Sequence, residues 1–268
     1  MALTIDFSDQ VVVVVGGTSG INRGIAEEFA KHGARVAVAS RSQEKVDDTV
    51  AKLKELGAAE AMGFSADVRN VEAVKEGLTK VHEAFGDFTT LISGAAGNFP
   101  AMANGMSPNG FKAVVDIDLM GTFHVMHSAY PFLKKPGASV INISAPQAFL
   151  AMAAQSHVCA AKAGVDMITK CLSIEWGPAG IRVNSICPGP IDGTEGMKRL
   201  APTEDMRKAT TDSVPLRRFG LPEDIGHACL FLATPLSSYI SGAIIPVDGA
   251  WSQTGCGDMQ TGLAKFFD

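Results

Sequence analysis

Short, unbroken apolar runs and longer stretches of mixed polarity take turns along this chain. Val11 to Val15 is five β-branched residues in a row. Val36 to Ala39, Ala61 to Ala66, Thr89 to Ser93, Ala138 to Ser144, Ile181 to Ile186 and Ala243 to Val247 repeat the theme. Runs of this kind read as strands buried on both faces. The intervening stretches place apolar residues at helical spacing. They are Ile25 to Ala30, closed by Gly33; Ser42 to Leu56, with Val46, Val50 and Leu53 on one stripe; Val71 to Phe85; Phe111 to Leu133; Ser156 to Trp176; and Pro222 to Ala233. Ala101 to Gly110 is rich in Asn, Gly, Ser and Pro and reads as an irregular loop. Gly193 to Arg217 is charged, with little core pattern, and reads as an inserted helical lobe. The alternation predicts an α/β fold in a single domain over 1–268: a doubly wound sheet of about seven parallel strands, with a small helical substrate lobe around 191–218.

The punctuation at the strand ends narrows this. Gly16-Gly17-Thr18-Ser19-Gly20-Ile21-Asn22-Arg23-Gly24 links the first strand to the first helix, and the second strand ends at Ser40-Arg41. Strand, glycine turn, helix, strand is the Rossmann-like unit that sets helix N–H groups against a pyrophosphate. Ligands of such sheets bind beyond the carboxyl ends of the strands. Gly16, Ser40, Asp67, Gly94, Ser144 and Pro188 would therefore converge on one crevice. An NAD site usually ends the second strand in a carboxylate that accepts from the ribose 2′-hydroxyl. Here the strand ends in Ser40-Arg41, with no carboxylate before Glu44. A guanidinium fork matches a 2′-phosphate, and Arg23 at the helix start adds a second positive charge. The pattern predicts NADPH.

Bulk properties exclude other classes. A net charge of −5 argues against a nucleic-acid binder, and no apolar run reaches the roughly 20 residues of a membrane span. Met1 to Gln10 lacks a signal-peptide pattern, and Ala264-Lys265-Phe266-Phe267-Asp268 is not a Ser-Lys-Leu peroxisomal address. Cys159, Cys171, Cys187, Cys229 and Cys256 have no metal-ligand spacing, and their apolar neighbours predict small buried thiols in a reducing compartment. His124 and His127 lie a helical turn apart with no third ligand. The expectation is a cytoplasmic protein without a metal.

Asp67-Val68, Gly94-Ala95-Ala96-Gly97, Ile141-Asn142-Ile143-Ser144, Lys162, Arg182-Val183-Asn184, Pro188-Gly189-Pro190 and Val247-Asp248-Gly249, in this order behind the glycine turn, resemble the short-chain dehydrogenase/reductase family. One departure is Asn22, where the family usually has its third glycine. The resemblance implies a cofactor cradle of Gly16, Thr18, Ser19, Gly20, Ile21, Arg23, Ser40, Arg41, Asp67, Val68, Gly94, Ala95, Ala96, Lys162, Pro188, Gly189 and Ile191. Ordinary members reduce carbonyls with a Tyr acid, a Lys four residues later, a Ser on the preceding strand and an Asn in the helix before it. Lys162 fits the lysine, but the other positions hold Val158, Ala145 and Asp118. Tyr130-Pro131-Phe132-Leu133-Lys134 mimics the Tyr-Lys motif but precedes the strand that should precede it, and Pro131 marks a helix edge.

Asp118, Ala145 and Val158 around a retained Lys162 resemble the 2,4-dienoyl-CoA reductases, especially the peroxisomal type. So do Asn98-Phe99, His157, Ile174-Glu175-Trp176-Gly177-Pro178 and Gly193-Thr194-Glu195-Gly196. A ketone reduced by hydride leaves an alkoxide that needs an acid at once. A dienoyl thioester instead delocalises charge onto its oxygen, where hydrogen bonding suffices, and its proton reaches carbon from an ordered water. In that reading Lys162 holds the nicotinamide ribose and, with Asp118, orders the water. The carboxylate and ammonium are expected to hold each other charged. Asn98, Phe99, Gln147 and Gly193 serve the acyl-CoA substrate, Lys198 and Arg199 its phosphates, and His157 packs. The resemblance also implies a homotetramer through the helices carrying Asp118 and Lys162. Two alternatives stay open: another Tyr-less reductase of carbonyl or acyl substrates, and an NADP-binding subunit without turnover.

Overall fold

The computed structural model describes residues 6–254. Seven strands, β1 (Val11–Val15), β2 (Arg35–Ser40), β3 (Glu60–Ser65), β4 (Thr90–Ser93), β5 (Ser139–Ile143), β6 (Arg182–Pro188) and β7 (Ile244–Val247), form one sheet. Its order is β3-β2-β1-β4-β5-β6-β7, with every pair parallel. The order reverses between β1 and β4, and a crevice for ligands opens at such a switch point.

Helices α1 (Gly20–Lys31), α2 (Gln43–Glu55), α3 (Val71–Phe85), α4 (Pro108–Val114), α5 (Gly121–Ala129), α6 (Ser156–Trp176), α7 (Glu195–Leu200), α8 (Glu204–Ser213) and α9 (Pro222–Ala233) cover the sheet and its upper rim. Successive strand residues point to opposite faces, so β1 feeds two cores. Val11, Val13 and Val15 pack with Leu78 and Phe85 of α3, Met126 of α5 and Trp176 of α6. Val12 and Val14 pack with Phe29 of α1, Leu53 of α2 and Leu230 of α9. All five valines of β1 are buried, as an unbroken run requires.

Three differences from the sequence-based elements matter. The first helix starts at Gly20 rather than Ile25, so the glycine turn supplies its first N–H groups. The expected helix from Phe111 to Leu133 starts earlier and is broken. Ser107 caps α4 at Pro108, a π-helical turn spans Val115–Met120, and a 3-10 turn at Tyr130–Phe132 ends the run. A π turn adds a residue per turn and often marks a functional site; its apolar positions still resemble an ordinary helix, so periodicity misses it. The cysteines are the third. Cys187 and Cys229 are buried as expected, Cys159 is half-buried, and Cys171 is exposed on α6. Cys256 lies outside the described residues. No helix among the described residues is long and apolar enough to cross a membrane.

Candidate active site

The glycine turn begins where Gly16 takes φ +85°, and a Cβ there would sit 2.8 Å from the backbone nitrogen of Ala95. Only glycine lets the turn approach the β4 loop so closely. Asn22, the departure from the family pattern, is buried and donates from Nδ2 to the Gly94 carbonyl at 2.6 Å. Its side chain therefore ties the start of α1 to the end of β4, a bond that a glycine cannot make.

Above the strand ends lies a cavity of about 900 Å³. Gly16, Thr18, Ser19 and Ile21 line one end, with Gly20 opening α1 beside them. Ser40, Arg41, Asp67 and Val68 form the next stretch of wall, then Gly94, Ala95 and Ala96, and finally Pro188, Gly189 and Ile191. The predicted cradle is thus brought together except for Gly20, which adjoins the lining without being part of it, and Arg23. Arg23 turns away, bonding Glu27 on its own helix at 2.8 Å, and does not line the cavity. Lys45, in the first turn of α2, lines it instead. Arg41 and Lys45 make no ion pair among the described residues, so two cations are left to face a phosphate. The adjacent Asp67 accepts both guanidinium arms of Arg69 at 3.0 and 2.6 Å. That fork holds its carboxyl down at about 2. The close-approach glycine, the exposed helix start and the paired cations fit a phosphorylated dinucleotide.

At the other end the π turn delivers Asp118 into the wall. The carboxylate is 1% exposed, accepts from the Gly97 N–H at 2.7 Å, and lies 3.6 Å from Nζ of Lys162. Lys162 comes from the first half of α6 and donates to the Ile143 carbonyl at 2.9 Å. The expected mutual support is present, but burial opposes it and pushes the Asp118 carboxyl above the usual range. Ala145 and Val158 line the same end, so the wall beside the lysine holds a methyl and an isopropyl group. One turn beyond Lys162, Asp166 is buried, accepts from Ser185 Oγ at 3.1 Å and is also raised by burial.

The loop after β4 closes this end. Gln155, buried and absent from the sequence-based site, accepts from Gln147 at 3.2 Å and from Asn98 at 3.4 Å. Phe99 does not line the cavity but lies across His157, ring centres 4.7 Å apart. Arg199 of the lobe donates to the Asn98 carbonyl at 2.8 Å, whereas Lys198 pairs with Glu195 and Gly193 stays off the wall. No sequence signal marks Gln155; the signal for Lys45 is a cation in the first turn of the helix that follows Ser40-Arg41.

The other candidates lie elsewhere. Tyr130 packs on Trp176 at 5.0 Å with the Lys135 ammonium 3.9 Å above its ring, and Tyr239 is fully exposed. His124 bonds the Val68 carbonyl at 2.9 Å. No cluster among the described residues is suited to hold a metal.

Known proteins match this chain along most of its length. Residues 15–252 match the family model described as enoyl-(acyl carrier protein) reductase. A peroxisomal 2,4-dienoyl-CoA reductase, (3E)-enoyl-CoA-producing, from Arabidopsis thaliana is 43% identical over 90% of this chain and 83% of its own. A probable 2,4-dienoyl-CoA reductase, (2E)-enoyl-CoA-producing, from Bacillus subtilis is 38% identical over 90% of this chain and 95% of its own. The crystal structure of a short chain dehydrogenase from Bacillus anthracis superposes with a TM-score of 0.81 at 36% identity, over 91% and 97% of the two chains. With its seven-stranded parallel sheet and glycine-turn cavity, the chain belongs to the short-chain dehydrogenase/reductase family of oxidoreductases.

Proposed function

We propose that this enzyme reduces 2,4-dienoyl-CoA to 3-enoyl-CoA with NADPH, as an auxiliary step of fatty-acid β-oxidation. The observation that carries this reading is the buried Asp118–Lys162 pair facing Ala145 and Val158. The names of the relatives from Arabidopsis and Bacillus support the substrate class.

The nicotinamide cofactor, when bound, supplies the hydride. The chain's own residues hold it: the glycine turn takes the pyrophosphate, Arg41 and Lys45 the 2′-phosphate, and Lys162 the nicotinamide ribose. Hydride addition at the far carbon of the diene sends charge to the thioester oxygen, where amide and ammonium donors lower its energy. Asn98 and Gln147 stand on that side of the cavity. Asp118 orders a water whose proton goes to the α-carbon, which leaves the remaining double bond at position 3. A hydroxyl acid beside Lys162 is not required for this chemistry, and Ala145 and Val158 provide none.

A cytoplasmic location and a homotetramer belong to the same proposal. The tetramer is supported by large apolar side chains left exposed on the outer helices, Phe123 on α5 and Met167 and Ile174 on α6. The Arabidopsis relative is named peroxisomal, so imaging of the tagged full chain decides the compartment.

The test is NADPH oxidation with 2,4-hexadienoyl-CoA beside acetoacetyl-CoA, with NMR of the product. Turnover of the dienoyl thioester alone, giving a 3-enoyl product, is the expected result. Turnover of acetoacetyl-CoA instead assigns a ketoreductase. Tight NADPH binding without turnover of either assigns a binding subunit.

A further inference from the structure

His157 stands in the first turn of α6 and is 0% exposed, yet neither ring nitrogen finds a hydrogen-bond partner among the described residues. The ring lies 4.7 Å from Phe99 and 6.4 Å from Phe111, centre to centre. A buried donor or acceptor left unpaired is destabilising, and an apolar side chain would pack against the two phenyl rings without that cost. Two neighbours repeat the pattern: Gln155 Nε2 and Asn98 Oδ1 are also buried without a partner. Buried polar groups of this kind call for a functional or solvent partner.

The β4 loop joins these groups to the acid residue by residue. Gly97 donates to Asp118 at 2.7 Å, Asn98 reaches Gln155 at 3.4 Å, and Phe99 covers His157 at 4.7 Å. Three unsatisfied polar side chains thus gather around the segment that holds the Asp118 carboxylate.

We propose that His157 is a positioning residue for the proton donor: with Asn98 and Gln155 it holds the water that lies against Asp118, so that one O–H faces the substrate carbon. This rests on the dienoyl-CoA reading above. In the step, the water O–H bond breaks as a C–H bond forms at the α-carbon, and the electron pair comes from the dienolate. The hydroxide left behind keeps the imidazole N–H as its donor and regains its proton from bulk water. His157 gives up no proton in the step. This role differs from mere packing because it requires the nitrogens and not only the ring.

His157→Phe keeps ring volume and the contact with Phe99 while removing both nitrogens; His157→Gln returns one side-chain N–H. With 2,4-hexadienoyl-CoA, His157→Phe is expected to lower kcat about 10- to 100-fold, the scale of a misplaced reacting group. KM should stay unchanged and the solvent isotope effect on kcat should rise, while His157→Gln recovers part of the rate. A wild-type kcat and isotope effect in His157→Phe would overturn the proposal. A second measurement needs neither substrate nor that variant. In protein labelled with ¹⁵N-histidine, Asp118→Asn is expected to move both His157 ring resonances, and resonances that stay put overturn the proposal. Wild-type protein inert towards the dienoyl thioester would sink the dienoyl reading; resonances that still respond to Asp118→Asn would support the coupling by themselves.

Discussion

Two opposed influences meet on the Asp118 carboxylate: burial raises its proton affinity, and Lys162 with the Gly97 N–H lowers it. Removing either partner of such a pair leaves the other buried without compensation. Asp118→Ala and Lys162→Ala are therefore each expected to cut dienoyl-CoA turnover by about 10²- to 10⁴-fold, the range of a lost acid–base group. Steady-state kinetics on variants that still bind NADPH checks this. Asp67 shows the reverse effect. Its folded value of about 2 lies below the ordinary 3.8 because Arg69 grips the carboxylate. The folded state thus takes up this proton later than the unfolded chain as pH falls. The pair's stabilisation is complete above the ordinary value and disappears as pH falls through about 2. Urea melts from neutral to acid pH are expected to show Asp67→Asn less stable than wild type at neutral pH, with the two curves converging in acid.

At the scale of the element, close approach between helices decides as much as any side chain. A Cβ on Gly24 would sit 2.3 Å from Cβ of Pro222 and 3.1 Å from its backbone carbonyl carbon, where α1 meets α9. Pro222 starts α9 and cannot rotate aside, so Gly24→Ala should cost about 1–3 kcal/mol through overpacking. Thermal melts without ligand measure it. The π turn acts at the same scale. It adds no unusual residue to the sequence, yet it sets the register that puts Asp118 against Gly97 and α6. The helical spacing of Phe111 to Leu133 was legible, but the interruption depends on contacts with α6 and the β4 loop, which lie far away in sequence.

For the whole molecule, a ligand that binds only the folded chain stabilises it by mass action. NADPH at about 100 times its Kd should add roughly 2.7 kcal/mol. NADH at the same concentration should add much less, because it offers no 2′-phosphate to Arg41 and Lys45. Thermal shifts with both nucleotides check this, and Arg41→Glu should abolish the difference. The proposed preference rests, in the sequence, on the strand end at Ser40-Arg41. Lys45 joins it from the first turn of α2, whereas Arg23, equally basic and close to the glycine turn, is taken by Glu27. Pairing of one cation and not the other is set by side-chain geometry.

By itself the sequence determined the seven-stranded α/β layout, because unbroken β-branched runs can be satisfied only with both faces covered. It also determined which strand ends line the cavity and the absence of a tyrosine at the acid's position, since both rest on residue identity at fixed offsets from strand ends. Tertiary structure alone decided the rest: the π turn under Asp118, the Asn22 bond to Gly94, the Gln155 amide hub and the sealed His157. Each of these depends on which distant side chain occupies the space opposite, and on how much water is excluded when it does. Linear spacing carries neither quantity.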